Sequence, residues 1–538
     1  MTGTSDRNSK SSGPCESSAA TARRSYLVGL DRLRGLGEVD RDMVRLGGMP
    51  GLGRWVEQVT ATGGCTHPVR LSGRTVAVEG ATGEVVWEYS TRGEPGEGLL
   101  VRCRNRRASR CASCAHQYAG DTYHLVRSGL VGGKGLPASV VGRPRVFATL
   151  TAPSFGRVHR EGVCLRVGAG VCAHGLPTGC GRAHGADDPL VGQPVCAACY
   201  DYVGHVLWHA HAGRLWSRVG DSLYHRLARA GGVRRSVVRR LLRVSAVKVA
   251  EYQRRGAVHF HAVIRLDGPE GPGDEAPGWA TVGVLVEAVR SAVAVVSLAV
   301  PESAAYGERV LRFGSQLDVH AVGDGMPDDR VAAYLAKYVT KSVSTSASGA
   351  GSLDRRIVAA GQVRALRASD HVRALVGTCW RLGGLAELGH LRLRAWAHAL
   401  GYRGHCVTKT RAYSTTYGAL RAERAELTGA RPAAGVGVVV ERRWRYVGSG
   451  HSPAEALVAA GIAADLERTR EIGHELRRGW AGGARRDPSR ASGSWSPRGE
   501  PKDDLEPGGG DLAARRVGGI RGGGPSPADD HAGSGHGD

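Results

Sequence analysis

The stretch "GAVHFHAVIRLDG", residues 256–268, decides how the rest of the chain is read. It has the composition of a strand, and side chains alternate along a strand. Phe260, Ala262, Ile264 and Leu266 therefore share the face turned to a core, while His259, His261, Val263 and Arg265 share the other. Two imidazoles two residues apart on a non-core face can chelate one ion. The run before it, "RVSAVKVAEY" (243–252), is also strand-like, and "QRRG" between them reads as a hairpin turn. A hairpin centred near Arg255 puts Glu251 across from His259 on the same face. Two imidazoles, one carboxylate and open positions suit Mg²⁺ or Mn²⁺, with Zn²⁺ as a further option. The plainer reading is two partly exposed histidines with no ligand role.

A second stretch gives those histidines something to serve. "DDRVAAYLAKYVTKSV" (328–343) follows Pro327, and its paired aspartates make a helix start. At about 100° per residue, Tyr334, Lys337, Tyr338 and Lys341 fall on one arc, and Val331, Ala332, Leu335 and Val339 form an adjoining apolar arc that would dock on a sheet. Lysine is rare here: the others are Lys10, Lys134, Lys248, Lys409 and Lys502. Placing two of them beside two tyrosines suits a phenol whose deprotonation needs nearby cations. The alternative is an amphipathic helix with solvated lysines.

Cysteines and histidines gather between residues 101 and 200. Cys103, Cys111 and Cys114 are followed by Cys164, Cys172, His174, Cys180, His184, Cys196 and Cys199. Two C-x-x-C knuckles with intervening Cys and His are a structural zinc signature. The ligands suffice for two Zn²⁺ ions, one on each knuckle, or for one ion joining both. Cys15, Cys65, Cys379 and Cys406 are expected to be small buried or surface residues without a ligand role.

A net charge of +23 over 538 residues favours a polyanionic partner, nucleic acid before a membrane surface. The length calls for two or three domains. The polar N-terminus and the lack of a long apolar run point to a cytoplasmic protein with no membrane span. Along the chain we expect a disordered stretch at 1–24 and a region of no legible chemistry at 25–100. A zinc-knuckle region follows at 101–143, then a domain at 144–347 with a Cys/His insertion at about 160–200. A mostly helical region at 348–480 and a disordered Gly/Pro/Arg-rich tail at 481–538 complete it.

Six stretches together resemble one family: "NRRASRCASCA", "VFATLTAPSFG", "VAEYQRRGAVHFHAVIRLDG", "YLAKYVTKS", "TCWRLGGL" and "YRGHCVTKTRAYSTTY". They are similar to the rolling-circle replication initiators of actinobacterial plasmids and integrative conjugative elements, within the HUH endonuclease superfamily. The resemblance implies an α+β fold: a central antiparallel sheet with packed helices, the cysteine-rich zinc-binding part being an extension plus an insertion. It implies that His259, His261 and Glu251 hold a catalytic Mg²⁺ or Mn²⁺. Tyr338 with Lys341, and Tyr334 with Lys337, match the family's tyrosine motif, and the double form resembles the gene A proteins of single-stranded DNA phages. Single-tyrosine initiators often carry a Glu where Tyr334 stands. The histidine pair precedes the tyrosine, as in initiators rather than relaxases. The implied activity is nicking of one origin strand through a 5′-phosphotyrosine link, leaving a 3′-OH primer, with later rejoining. The implied partners are origin DNA, a host helicase and a DNA polymerase. The competing expectations are an HUH transposase or mobilisation protein, and a non-catalytic zinc-bearing DNA-binding regulator.

Overall fold

The computed structural model describes residues 35–164, 170–323, 327–341, 347, 353–427 and 437–483. The expectations for residues 1–24 and for the tail beyond 483 lie outside the described residues.

The described residues begin with α1 (Glu38–Gly47), α2 (Leu52–Ala61), β1 (Val69–Glu79), β2 (Val85–Ser90), β3 (Leu99–Val101), α3 (Ala112–Val131) and β4 (Arg145–Leu150). Next come the short strands β5 (Gly162–Val163) and β6 (Ala183–His184), then α4 (Tyr202–Ala230), α5 (Arg235–Leu241), β7 (Arg243–Tyr252) and β8 (Val258–Asp267). They are followed by α6 (Val282–Val295), β9 (Ser297–Ser303), β10 (Gly307–Arg312), β11 (Leu317–Ala321) and α7 (Asp328–Tyr338). The last elements are α8 (Ala360–Arg364), α9 (Asp370–Leu382), β12 (Val407–Lys409), α10 (Tyr417–Leu427), β13 (Val438–Ser449) and α11 (Pro453–Gly483).

The fold is mixed α+β with antiparallel sheets. Its five-stranded sheet has the order β11-β4-β8-β7-β12. The β7–β8 hairpin turns at residues 253–256, where Gly256 adopts φ 78° and its N–H donates to Gln253 O at 2.8 Å. The register is the one the spacing predicts, with Glu251 opposite His259 and Val249 opposite His261.

Phe260, Ala262, Ile264 and Leu266 face a core completed by α4, including Leu207, Trp208, Leu215 and Val219. The opposite face was expected to lie away from the core, and here the structure differs. Val263 and Arg265 are wholly buried on it, and His261 nearly so. Strands β4 and β7 also put apolar side chains there, Phe147, Val247 and Val249, so that face needs its own cover. Helix α3 supplies Leu125, Val126 and Leu130, and α7 supplies Val331, Leu335 and, just past its end, Val339. Arg265 is tolerable in this second core because Asp267 takes its Nε and Nη2 at 2.7 and 2.9 Å, and the Gly129 and Tyr413 carbonyls take its Nη1. Gly129 is required at that point of α3, since a Cβ there would lie 2.4 Å from the Tyr413 ring. The start of α7 is tied to its neighbours by Asp328 on Arg145 of β4 at 2.7 Å and Asp329 on Arg127 of α3 at 2.6 Å.

One other stretch differs from expectation. The region expected to be mostly helical to residue 480 contains the twelve-residue strand β13, which pairs antiparallel with β1 from Val69↔Ser449 to Glu79↔Val438. Its sequence "VVVERRWRYVGS" is β-branched and aromatic, and its partner lies far upstream. Ala454 and Ala459 of α11 share a core with Leu46, Trp55 and Val59 of α1 and α2. Among the described residues, no helix is long and apolar enough to cross a membrane.

Candidate active site and metal clusters

Register brings Glu251, His259 and His261 to one point on the covered face. His259 Nε2 lies 2.9 Å and His261 Nε2 3.0 Å from the same oxygen, Glu251 Oε2. Thr149 of β4 pairs with His261 across the strands, and its hydroxyl lies 3.1 Å from His261 Nδ1. That hydroxyl could accept from Nδ1–H when Nε2 turns its lone pair to a bound ion. Burial, aided by the neighbouring His259, pushes the His261 pKa down to about 4, so this imidazole is neutral at ordinary pH. Burial works against ionisation of Glu251, but its hydrogen bonds with His259 and His261 outweigh that and hold its carboxyl at about 2. Neutral imidazole and charged carboxylate are the forms that ligate metal. His259 Nδ1 is buried with no hydrogen-bond partner among the described residues.

Helix α7 lays its tyrosines over this cluster. The Tyr338 ring stacks on His261 at a centroid distance of 5.4 Å and 26° between planes. Tyr334 meets His261 edge-on at 5.1 Å and Tyr338 at 4.7 Å. Tyr338 is buried, Tyr334 half-buried and Lys337 exposed. Lys341 lies just beyond the helix, with Nζ 3.4 Å from Glu251 Oε1 and 4.6 Å from the Tyr338 ring centroid. Lys337 Nζ is 5.9 Å from the same centroid. The structure thus brings together all seven residues singled out from the two motifs.

Among the described residues the cysteines and histidines form three groups, where the sequence reading expected two ions. In each group the potential ligand atoms lie within 4.8 Å of one another. The first is Cys65, Cys103, Cys111 and Cys114, the second His159, Cys164, Cys180 and His184, and the third Cys172, His174, Cys196 and Cys199. The two knuckles fall in different groups, so one ion does not join them. Cys65, expected to have no ligand role, is wholly buried at the centre of the first group, 3.6 Å from Cys114 Sγ and 3.8 Å from Cys111 Sγ. Those separations are too long for a disulfide and match the ~3.8 Å between sulfurs around a tetrahedral zinc. His159 was also overlooked; its Nδ1 lies 3.3 Å from His184 Nε2. His184 Nδ1 is held at 2.7 Å by Asp188, the carboxylate–histidine pairing typical of metal ligands. In the third group His174 Nδ1 is 3.2 Å from Cys199 Sγ. Cys379 and Cys406 belong to none of the groups.

The signals for the missed residues were local. Cys65 follows Gly63 and Gly64, both at positive φ, in a tight turn that carries it toward the first knuckle. His159 stands five residues before Cys164. Thr149 falls on the histidine face by simple alternation along β4.

These features define a mixed α+β protein with an acid–histidine cluster beneath a tyrosine helix and three further groups able to hold metal ions such as zinc. A family model described as "RepSA: Replication initiator protein, pSAM2" matches residues 51–464. A "Replication initiator protein" of Streptomyces ambofaciens is 45% identical over 454 residues, covering 81% of this chain and 95% of the relative. No solved structure matches. The chain belongs to the RepSA family of replication initiator proteins.

Proposed function

We propose that this replication initiator nicks one strand of its origin with a tyrosine nucleophile, as HUH endonucleases do, and that residues 144–347 form the nicking domain. The observation that carries the reading is the convergence of Glu251, His259 and His261 on one point directly beneath Tyr338. Those three side chains would hold Mg²⁺ or Mn²⁺, and the donor set fits: two imidazole nitrogens and a carboxylate. When bound, such an ion polarises a phosphate and offsets charge on its oxygens.

The chain's own groups supply the rest. The phenol of a free tyrosine ionises near pH 10, and the ammonium groups of Lys341 and Lys337 beside Tyr338 favour its phenolate. The phenolate oxygen forms a bond to phosphorus while the bond from phosphorus to the 3′ oxygen breaks. That oxygen takes up a proton and leaves as a free 3′-OH, and the 5′ side stays on the enzyme as a phosphotyrosine. The ester retains the bond energy, so a later attack on it by a 3′-OH rejoins the strand without ATP. Tyr334, one turn away, is placed to take a second strand. The 3′-OH would prime a host polymerase, behind a host helicase, and the excess of arginine would grip origin phosphates.

The test is incubation with Mn²⁺ and a labelled single-stranded origin oligonucleotide, followed by a denaturing gel. Wild type should give a covalent adduct, and Tyr334→Phe/Tyr338→Phe none. An adduct that survives in the double variant, or no adduct on any origin strand, leaves a non-catalytic DNA-binding role.

A further inference from the structure

We propose that the Cys65, Cys103, Cys111 and Cys114 group holds a zinc-class ion and acts as a clasp on the end of the tyrosine helix, with Arg106 as the positioning residue. The role in catalysis rests on the nicking reading; the clasp itself does not.

The site is built for a soft tetrahedral cation. Four sulfurs converge, three of them on buried residues, and backbone N–H groups point at two: Cys103 N–H at Cys65 Sγ, 3.3 Å, and Asn105 N–H at Cys103 Sγ, 3.5 Å. Such N–H donors stabilise thiolate, the ligating form. Two ligands, Cys103 and Cys111, bound a seven-residue loop, and pinning both ends takes conformational freedom from everything between.

That loop reaches the active site. Arg106 Nη1 donates to Val339 O at 3.0 Å and to Lys341 O at 2.7 Å. Ala108 N–H donates to Thr340 O at 3.4 Å, so the three consecutive carbonyls of Val339, Thr340 and Lys341 are matched by two of the loop's groups. Next to it, Arg107 Nη1 donates to Asp354 O at 2.7 Å. Helix α7 ends at Tyr338, and carbonyls beyond a helix end need outside donors; arginine is well suited to supply them. The Lys341 backbone fixed in this way carries the ammonium that sits 3.4 Å from Glu251. A path of direct contacts therefore runs from the thiols through Arg106 to Lys341 and the acid–histidine cluster. Arg106 holds the backbone carbonyl of Lys341, and through it Arg106 acts as a positioning residue.

The test measures three quantities on the full chain: zinc content, amide exchange of the peptide spanning 331–341, and single-turnover adduct formation with DNA affinity recorded separately. Cys65→Ser should lose one equivalent of zinc and speed exchange at 339–341. Arg106→Ala should keep all its zinc, speed the same exchange, and slow adduct formation on the order of tenfold to a hundredfold with DNA affinity unchanged. Arg106→Lys, which restores one donor, should recover part of the rate. Arg106→Ala leaves all four thiols in place, so it reads the clasp even where Cys65→Ser fails to fold. Unchanged zinc in Cys65→Ser, or unchanged exchange in Arg106→Ala, overturns the clasp. If wild type forms no adduct, the nicking reading fails while zinc content and exchange still decide the clasp.

Discussion

Tyr338 lies stacked on His261, the ring pair separated by 5.4 Å at 26°, with the Lys341 ammonium 4.6 Å from the same tyrosine ring. Tyr334 touches His261 only by its edge and is the more exposed of the two. The two tyrosines are therefore not equivalent. We expect Tyr338→Phe to lower first-strand adduct formation by at least about a thousandfold while keeping the ring on His261, because the proposed nucleophile is lost. Tyr334→Phe should still form the adduct but fail in the second transfer. Trapping adducts on a labelled oligonucleotide, then chasing with an unlabelled acceptor strand, separates the two steps; equal first-step losses in both variants would refute the assignment.

The hydroxyl of Thr149 fixes the His261 ring from behind. Outer partners of this kind typically contribute about 10- to 100-fold in metal affinity. Thr149→Val keeps the shape of the side chain and removes the hydroxyl. Its adduct formation should need roughly that much more Mn²⁺ to reach half-maximum, with the rate at saturating metal close to wild type. A His259→Ala/His261→Ala variant should lose metal-dependent cleavage altogether and keep its full zinc content. Zinc loss in that double variant would show that the two kinds of metal site had been confused.

Zinc stoichiometry distinguishes three groups from two. Purified chain should carry three equivalents of zinc, and His159→Ala should lower the content to about two, since removing one of four ligands opens a closed site. Colorimetric titration of released zinc with the protein unfolded gives the count directly. A wild-type value of two would exclude one of the groups.

The hairpin, its register and the tyrosine helix were legible because each depends on neighbours close in sequence. Alternation along β8 placed His259 and His261, and a turn at Gly256 placed Glu251. The apolar arc of the tyrosine helix was legible as a docking face, but the share of the second core that comes from α3 was not, because α3 lies more than a hundred residues upstream of His261 and Val263. Cys65 was missed for the same reason: it lies 38 residues before Cys103 and joins it only when the chain is folded. Strand β13 was lost among helices because its partner β1 is at the other end of the described chain.

Lys248 offers a pH test of the core itself. It sits on β7 opposite Ala262, almost wholly buried, with its ammonium 3.9 Å from the Phe260 ring centroid and 3.4 Å from the Tyr402 hydroxyl. Burial pushes its pKa down from 10.5 to about 8. The folded value lies below the unfolded one, so protonation favours unfolding. Below pH 8 the folded chain carries the full penalty of a buried ammonium, on the order of 3 kcal/mol as an upper bound. Between pH 8 and 10.5 the penalty fades, and above that both states are neutral. Lys248→Met, similar in volume and uncharged, should therefore be more stable than wild type at pH 7 by about 1–3 kcal/mol. The advantage should shrink as pH rises through that window. Urea unfolding of both proteins at pH 7, 8.5 and 10 measures the difference at each point. A gap that is constant with pH would mean the lysine titrates alike in the folded and unfolded chain, as a solvated ammonium does.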